Sequence, residues 1–290
     1  MARILAVGNA TLDIINVVDS YPHEDQEIRA QSQHRNRGGN TANTLVVLSQ
    51  LGHECAWAGT LAADPDAEPI RADLREHGVD LSAVHTVAHG KVPTSYVTLS
   101  RLGGSRTIVH FRDLPEYHSR DFAAIDLAAL DWIHFEGRNV DEVELMLQRV
   151  RREQPQIRCS LEVEKIRGGI ERLFGYADLL MFSREYALRS GSQKPEQFLQ
   201  RMHQKGLAAQ MSCTWGEKGA HAMNREGKIF HAPAFPPPLV VDTLGAGDVF
   251  NAGLIDQLVH GHTIDIALIE ASRLAGRKCG IYGLNNLLGR

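Results

Sequence analysis

The chain has 290 residues, with 31 basic against 35 acidic side chains and a formal net charge of −4. This length suits one large α/β domain, residues 1–290, carrying a small appendage. The mild acidity, with no block of like charge, excludes a protein that coats nucleic acid or lies on an anionic membrane surface.

The first residues, Met-Ala-Arg-Ile-Leu-Ala-Val-Gly, read as a buried strand over 3–8 and lack the features of a signal peptide. Residues 12–18 and 26–33 alternate more, which predicts two strands of a sheet with one wet face. A helix is expected over 40–51, stopping at Gly52, then a strand at 55–59 and a helix over 65–77 ending at Gly78. Residues 94–100 and 105–110, joined by Arg101-Leu-Gly-Gly104, carry a hairpin signal. Strands are then predicted at 131–135, 157–163, 177–182 and 207–213, with helical stretches at 139–153, 170–174 and 195–205 between them. This alternation predicts a doubly wound, mostly parallel sheet. A second hairpin at 220–223 and 228–231, an extended Phe235-Pro-Pro-Pro238 connector and helices over 246–260 and 264–278 close the chain. The excursions near 11–34 and 91–113 would meet as a small β-sheet lid over a site at the strand ends.

No run of about 18 apolar residues predicts a membrane helix. Cys55, Cys159, Cys213 and Cys279 are widely spaced and form no Cys-x-x-Cys, so reduced thiols in a cytoplasmic protein are expected. His85 and His89 lie in a polar segment and read as solvated rather than as metal ligands.

The most informative string is Asp242-Thr-Leu-Gly-Ala-Gly-Asp248. Gly245, Ala246 and Gly247 let the backbone approach a ligand, and the helix that follows points its unpaired N–H groups at it. Such a helix start attracts phosphate. A carboxylate at Asp248 would repel phosphate unless it serves as a general base on an incoming hydroxyl. The alternative is a helix whose first-turn acid is Asp248.

Arg37-Gly-Gly-Asn40-Thr-Ala-Asn43 places two amides on one helix face, and amides both donate and accept, as sugar hydroxyls require. A Gly-Gly turn with Asn40 as a cap is the alternative. Asp13 interrupts an apolar strand and needs a partner or a ligand. Asp25 follows in a turn, where a turn-forming or surface acid is the plainer reading. Arg106 beside the hairpin turn would clamp a phosphoryl group or simply face solvent. Arg138, at a strand end, suits either a site or a structural ion pair. Glu162 and Glu164 alternate with Ser160 on a strand. One of them would organise Mg²⁺ through water, and for Glu162 an ion pair with Lys165 or Arg158 is the simpler outcome.

Asp-Thr-x-Gly-Ala-Gly-Asp-x-Phe is similar to the C-terminal signature of the ribokinase-like (PfkB) sugar kinases. The strings 21–29, 37–43, 104–108, 132–139, 161–165 and 235–248 together resemble the ketohexokinase branch of that family, almost from end to end. The resemblance implies ATP as phosphoryl donor, Mg²⁺ on its phosphates and a ketohexose phosphorylated at O1. It leaves activation by a monovalent cation open. It implies Asp248 as base, Gly245, Ala246 and Gly247 as the anion hole, and Arg106 at the phosphoryl group. Asp13, Asp25, Gly39, Asn40, Asn43 and Arg138 would hold the sugar. Cys213-Thr-Trp-Gly-Glu-Lys-Gly219 and the closing helix would flank the nucleotide through Thr214, Gly216, Gly219, Gly247, Gly276 and Cys279. Trp215 departs from the more usual small residue and reads equally as core. Ser183-Arg-Glu-Tyr186 stands where many relatives carry Asn-x-x-Glu, which leaves Glu164 as the metal candidate. The resemblance also implies a homodimer formed through the lid, with Ile14, Val17, Val97 and Leu99 as its apolar face. A kinase for ribose or a nucleoside, and a sugar-binding relative without catalysis, stay open.

Overall fold

The computed structural model describes residues 1–102 and 105–289. The opening apolar run forms β1 (Arg3–Val7), and the chain leaves it for β2 (Thr11–Val18) and β3 (Ser32–Gly38) before helix α1 (Asn40–Gln50). Strands β4 (Glu54–Ala58) and β5 (Thr60–Ala62), helix α2 (Ala67–Glu76) and strand β6 (His85–Val87) follow. The second excursion is β7 (Lys91–Ser100) and β8 (Arg106–Asp113). Gly103 and Gly104 of the expected turn between them lie outside the described residues. A short helix α3 (Ser119–Phe122) leads to β9 (Trp132–Glu136), α4 (Val140–Glu153), β10 (Arg158–Val163) and β11 (Leu179–Phe182). Helices α5 (Arg184–Arg189) and α6 (Pro195–Gln204) precede β12 (Gln210–Thr214), β13 (Ala220–Met223) and β14 (Ile229–Ala232). Helices α7 (Ala246–Val259) and α8 (Ile264–Cys279) end the order.

Eight strands form one sheet in the order β14-β13-β12-β11-β10-β9-β1-β4. The strands from β12 to β4 pair in parallel, and β13 and β14 are antiparallel at one edge. This is the doubly wound, mostly parallel sheet that the strand-helix alternation predicts. Helix α4 illustrates how each covering helix is made. It buries Val140, Val143, Met146, Leu147 and Val150 at helical spacing, with Asp141 and Glu142 in its first turn and Arg151 and Arg152 in its last. Helix α7 is buried on nearly every side, packed between α1 and α8. No helix among the described residues is long and apolar enough to cross a membrane. Because β1 lies between β4 and β9, the winding reverses there, and the crevice opens at the carboxyl ends of β1, β9 and β10.

A second sheet has the order β3-β2-β7-β8. Its edge strand β3 corrects the sequence reading: the strand is Ser32–Gly38, not 26–33. Ser32-Gln-His-Arg-Asn-Arg37 has no apolar alternation to detect. Its extended state comes from antiparallel pairing with β2, from Val17 opposite Ser32 to Thr11 opposite Gly38. The pairing of β5 with β6 was not predicted, and neither was α5, where the Ser183 side chain caps the helix by accepting from Tyr186 N–H. Residues 170–176 form a 3-10 rather than an α-helical turn.

Strand register divides the small sheet into two faces. Asp13 lies opposite Ser95, which lies opposite His110, and Val97 lies opposite Ile108. With a period of two, Val17, Val97 and Leu99 share the face of Asp13, and Ile14 shares the other with Tyr96, Val109 and Phe111. The four apolar residues expected to form one dimer face are therefore split between two, and Val97 is only 2% exposed.

Candidate functional site

Gly245, at φ 80, opens α7 without any side-chain cap, so the first-turn N–H groups face the crevice with no partner from the cap residue. Ala246 N–H is partly committed, turning back to Thr243 O at 3.3 Å. Asp248 sits in the first turn, buried, and accepts a hydrogen bond from Asn43 Nδ2 at 2.5 Å. Burial pushes its carboxyl up to about 7. The Asn43 bond and Arg37 oppose this rise, and the Glu164 and Glu136 carboxylates add to it.

Asn43 is itself held. Arg37, its side chain 2% exposed, donates to Asn43 Oδ1 and to the part-buried Asp73, so a chain of contacts runs Asp73–Arg37–Asn43–Asp248. The two glycines between Arg37 and Asn40 are there for space. A Cβ at Gly38 would lie 2.1 Å from Asp13 Oδ2, and one at Gly39, where φ is +99, would lie 2.3 Å from Asn9 O. Asp13 is buried, accepts from Thr11 Oγ1 at 2.8 Å, and is raised above the usual carboxylate range by that burial. Asn40 does not cap α1. Gly39 holds the cap position, and the Asn40 amide donates to Glu164 Oε2 at 3.2 Å.

Below these lies a cluster of carboxylates. Glu136, ending β9, accepts from Asn9 N–H at 2.9 Å and pairs with Arg138 at 3.3 Å. Arg138 also pairs with Glu116 at 3.0 Å. Glu162, one residue before the end of β10, accepts from Asn251 Nδ2 at 3.1 Å, and its Oε2 is buried with no partner. Burial raises it well above the usual range, with Asp248, Glu136 and Glu164 adding to the effect. The ion pair considered for Glu162 does not form. Lys165 lies 3.7 Å from Glu164 instead, and Arg158 donates to Leu258 O at 3.0 Å and lies over the Trp132 ring. A buried, unpartnered carboxylate oxygen among further carboxylates is the donor chemistry of a hard divalent cation.

A cavity of about 710 Å³ brings Asp13, Gly39, Asn40, Asn43, Arg106, Arg138, Glu164, Thr214, Gly245, Ala246, Gly247 and Asp248 onto one surface. Arg106 and His110 alternate on β8 and face it, and Arg106 Nη1 donates to Thr243 Oγ1 at 3.1 Å. The other candidates stand elsewhere. Asp25 occupies an exposed turn at φ 61, away from the cavity lining. Gly216 and Gly219 shape the turn after β12, where a Cβ on Gly219 would lie 2.0 Å from Ala232 O. A Cβ on Gly276 would lie 2.0 Å from Phe235 O, and the Cys279 carbonyl accepts from Val241 N–H at 2.8 Å. These two residues hold α8 against the segment 235–241, outside the cavity lining. Trp215 is buried under the Arg184 guanidinium, as the core reading had it.

The cavity also holds residues that sequence reasoning passed over: Asn9, His110, Glu136, Asn251 and Tyr282. Two of them left a signal. Glu136 is a charge closing the apolar run Trp132–Glu136 at a strand's carboxyl end. Asn251 lies three residues after Asp248, on the same helix face.

The family model of the pfkB family carbohydrate kinases matches residues 1–288. Ketohexokinase from Mus musculus is 42% identical over 294 residues, covering 99% of this chain and 99% of that protein. A fructosamine kinase from Bacillus subtilis is 27% identical, covering 97% of this chain and 92% of its own length. The ribokinase of Arabidopsis thaliana, solved with ribose and ATP, shares the fold at a TM-score of 0.81 and 22% identity, over 99% of this chain and 95% of that one. With its signature aspartate at the start of a buried, uncapped helix and this similarity running the whole length, the chain belongs to the pfkB family of carbohydrate kinases.

Proposed function

We propose that the chain is an ATP-dependent ketohexose kinase that moves the γ-phosphoryl group to a sugar hydroxyl, with fructose as substrate and O1 as acceptor. The observation that carries the chemistry is Asp248, buried in the first turn of α7 and held by Asn43. A carboxyl raised to about 7 is suited to take a proton near neutral pH. The 42% identity to a ketohexokinase supports the substrate class.

In this reading Asp13, Asn40 and Asn43 bind the sugar hydroxyls and bring one of them against Asp248. The amides after Gly245 hold charge on the phosphoryl group in flight, and Arg106 meets it from the small sheet. Arg138 fixes Glu136 at the edge of the same surface. Thr214, Gly216, Gly219, Gly276 and Cys279 border the nucleotide side. Glu162 and Glu164 suit Mg²⁺, directly or through water, and the ion, when bound, neutralises charge on the nucleotide phosphates. The outer face of the small sheet, with Tyr96, Val109 and Phe111 exposed, supports a homodimer through that sheet. A turn such as that of Asp25 would then complete the site from its rim. Free thiols at Cys55, Cys159, Cys213 and Cys279 support a cytoplasmic enzyme.

The test is ADP production with ATP and Mg²⁺ across fructose, tagatose, sorbose, ribulose, ribose and adenosine. Turnover confined to ketohexoses is the expected result, with product NMR locating the phosphate on O1. Turnover on ribose or adenosine alone would discard the substrate and keep the chemistry.

A further inference from the structure

Lys278, in the last turn of α8, is among the largest fully buried side chains, and no step described above uses it. Its ammonium donates to Asp242 Oδ2 at 2.9 Å, to Asp242 O at 2.8 Å and to Ile281 O at 3.3 Å. An ammonium has three donors and accepts nothing, so this shell of oxygens saturates it. One carboxylate and two carbonyls are also the donor set that a small hard cation takes.

The shell ties three segments into one knot. Asp242 Oδ1 accepts from Leu244 N–H at 2.8 Å, and Oδ2 accepts from Gly283 N–H at 3.2 Å. The Cys279 carbonyl accepts from the N–H groups of Val241 and Asp242, at 2.8 and 3.3 Å. Three residues beyond Asp242 the chain reaches Gly245, whose φ of 80 aims the start of α7 at the cavity. Residues 242–248 and 282–285 line that cavity together. The backbone path of the anion hole therefore starts from a carboxylate whose place is set by a buried positive charge. A monovalent ion seated between Asp242 and Ile281 does not fit, because the Lys278 ammonium already takes those oxygens.

We infer that Lys278 is a positioning residue and the built-in cation of the phosphoryl-transfer loop, so that turnover does not depend on a diffusible monovalent cation. This rests on the kinase reading. Absence of turnover by the unaltered enzyme in every salt would speak against that reading and not against the role of Lys278.

The experiment measures the unaltered enzyme and Lys278→Ala with ATP, Mg²⁺ and fructose in sodium, potassium, ammonium and tetramethylammonium chloride at equal ionic strength. The unaltered enzyme should turn over at the same rate in all four. In tetramethylammonium, Lys278→Ala should lose kcat by on the order of a hundredfold, as expected for a displaced reacting geometry, with little change in the KM for sugar. Potassium, ammonium or added ethylammonium should restore part of that kcat and raise the melting temperature of the variant alone. Three results would overturn the inference. The unaltered enzyme would need potassium, the variant would keep its kcat, or a folded variant would respond to no cation in rate or in melting temperature. Should Lys278→Ala fail to fold, the salt series on the unaltered enzyme still decides the matter, because it needs no substitution.

Discussion

At the floor of the cavity, Asp13, Asn43, Asp248 and Glu162 are buried, and each takes part in a hydrogen bond with a named neighbour in the same chain. On the far side of the small sheet, Val109 is 67% exposed, and Tyr96 and Phe111 are 46% and 49% exposed. The floor's side chains are held from within one chain, and the outer sheet face leaves apolar side chains exposed. These bonds hold the floor's side chains against one another, as electrostatic preorganisation of the proposed chemistry requires. The sheet presents Arg106 and His110 to the cavity from an element whose outer face is exposed.

The strongest way to break the floor is Asp248→Asn, which keeps shape and removes the proposed base. We expect kcat to fall by about a thousandfold or more, with ATP binding by titration retained. In the unaltered enzyme, kcat/KM should rise with pH towards a plateau above about 7, because the raised carboxyl must lose its proton before it can accept one. Near-normal turnover in the variant would end the general-base role.

This contrast also explains what was legible in the sequence. The parallel sheet and its helices were readable because β1 and β9–β12 carry apolar runs and α4 has helical periodicity. The Gly-Ala-Gly-Asp start of α7 was readable because flexible residues, an acid and an apolar helix rarely meet in that spacing. Strand β3 was not, since its polar residues are extended only because β2 pairs with them. Glu162 was misread because a charge beside Lys165 looks like a surface pair, and only the fold reveals that Asn251 is its partner. The grip of Arg37 on Asn43 is likewise a tertiary fact, joining the end of one strand to a helix and to Asp73 on α2.

Arg37→Ala tests that grip with a smaller effect. It strands Asp73 and frees the Asn43 amide, so kcat should fall by on the order of tenfold to a hundredfold through misplacement of Asp248. Stability should drop by roughly 3 kcal/mol, the usual cost of breaking a largely buried pair. Asp73→Asn, which leaves Arg37 in place, should lose stability but keep most of its kcat. Equal kcat losses in the two variants would mean that the pair supports the fold and does not aim the base.

The sheet should respond differently. Val109→Glu places a charge on the exposed outer face and leaves the floor untouched. We expect a shift from dimer to monomer in light scattering and a few-fold rise in the KM for sugar, with kcat reduced less than in either floor variant. A monomeric parent protein at micromolar concentration would remove the homodimer from the proposal.

The pH dependence of stability is the most direct measure of the floor's electrostatics. The Asp248 carboxyl sits at about 7 when folded against an ordinary value of 3.8, so the folded protein keeps a proton that the unfolded chain has lost. Stability attributable to this group is then greatest below about pH 4 and falls as pH climbs to about 7, where the folded state ionises as well. Asp248→Asn mimics the protonated form at every pH and should avoid that loss. Its melting temperature should match that of the parent near pH 4, rise above it by a few degrees towards pH 7, and keep a constant lead beyond. Glu162 and Glu136 are raised by burial in the same direction, and because the Asp248 charge adds to the rise at Glu162, its removal in the variant relieves that push as well and widens the gap in the same sense. A gap that does not change with pH would mean that Asp248 ionises as an ordinary carboxyl. In that case the burial of the floor would exert no electrostatic force on the base, and its fixed geometry alone would have to account for catalysis.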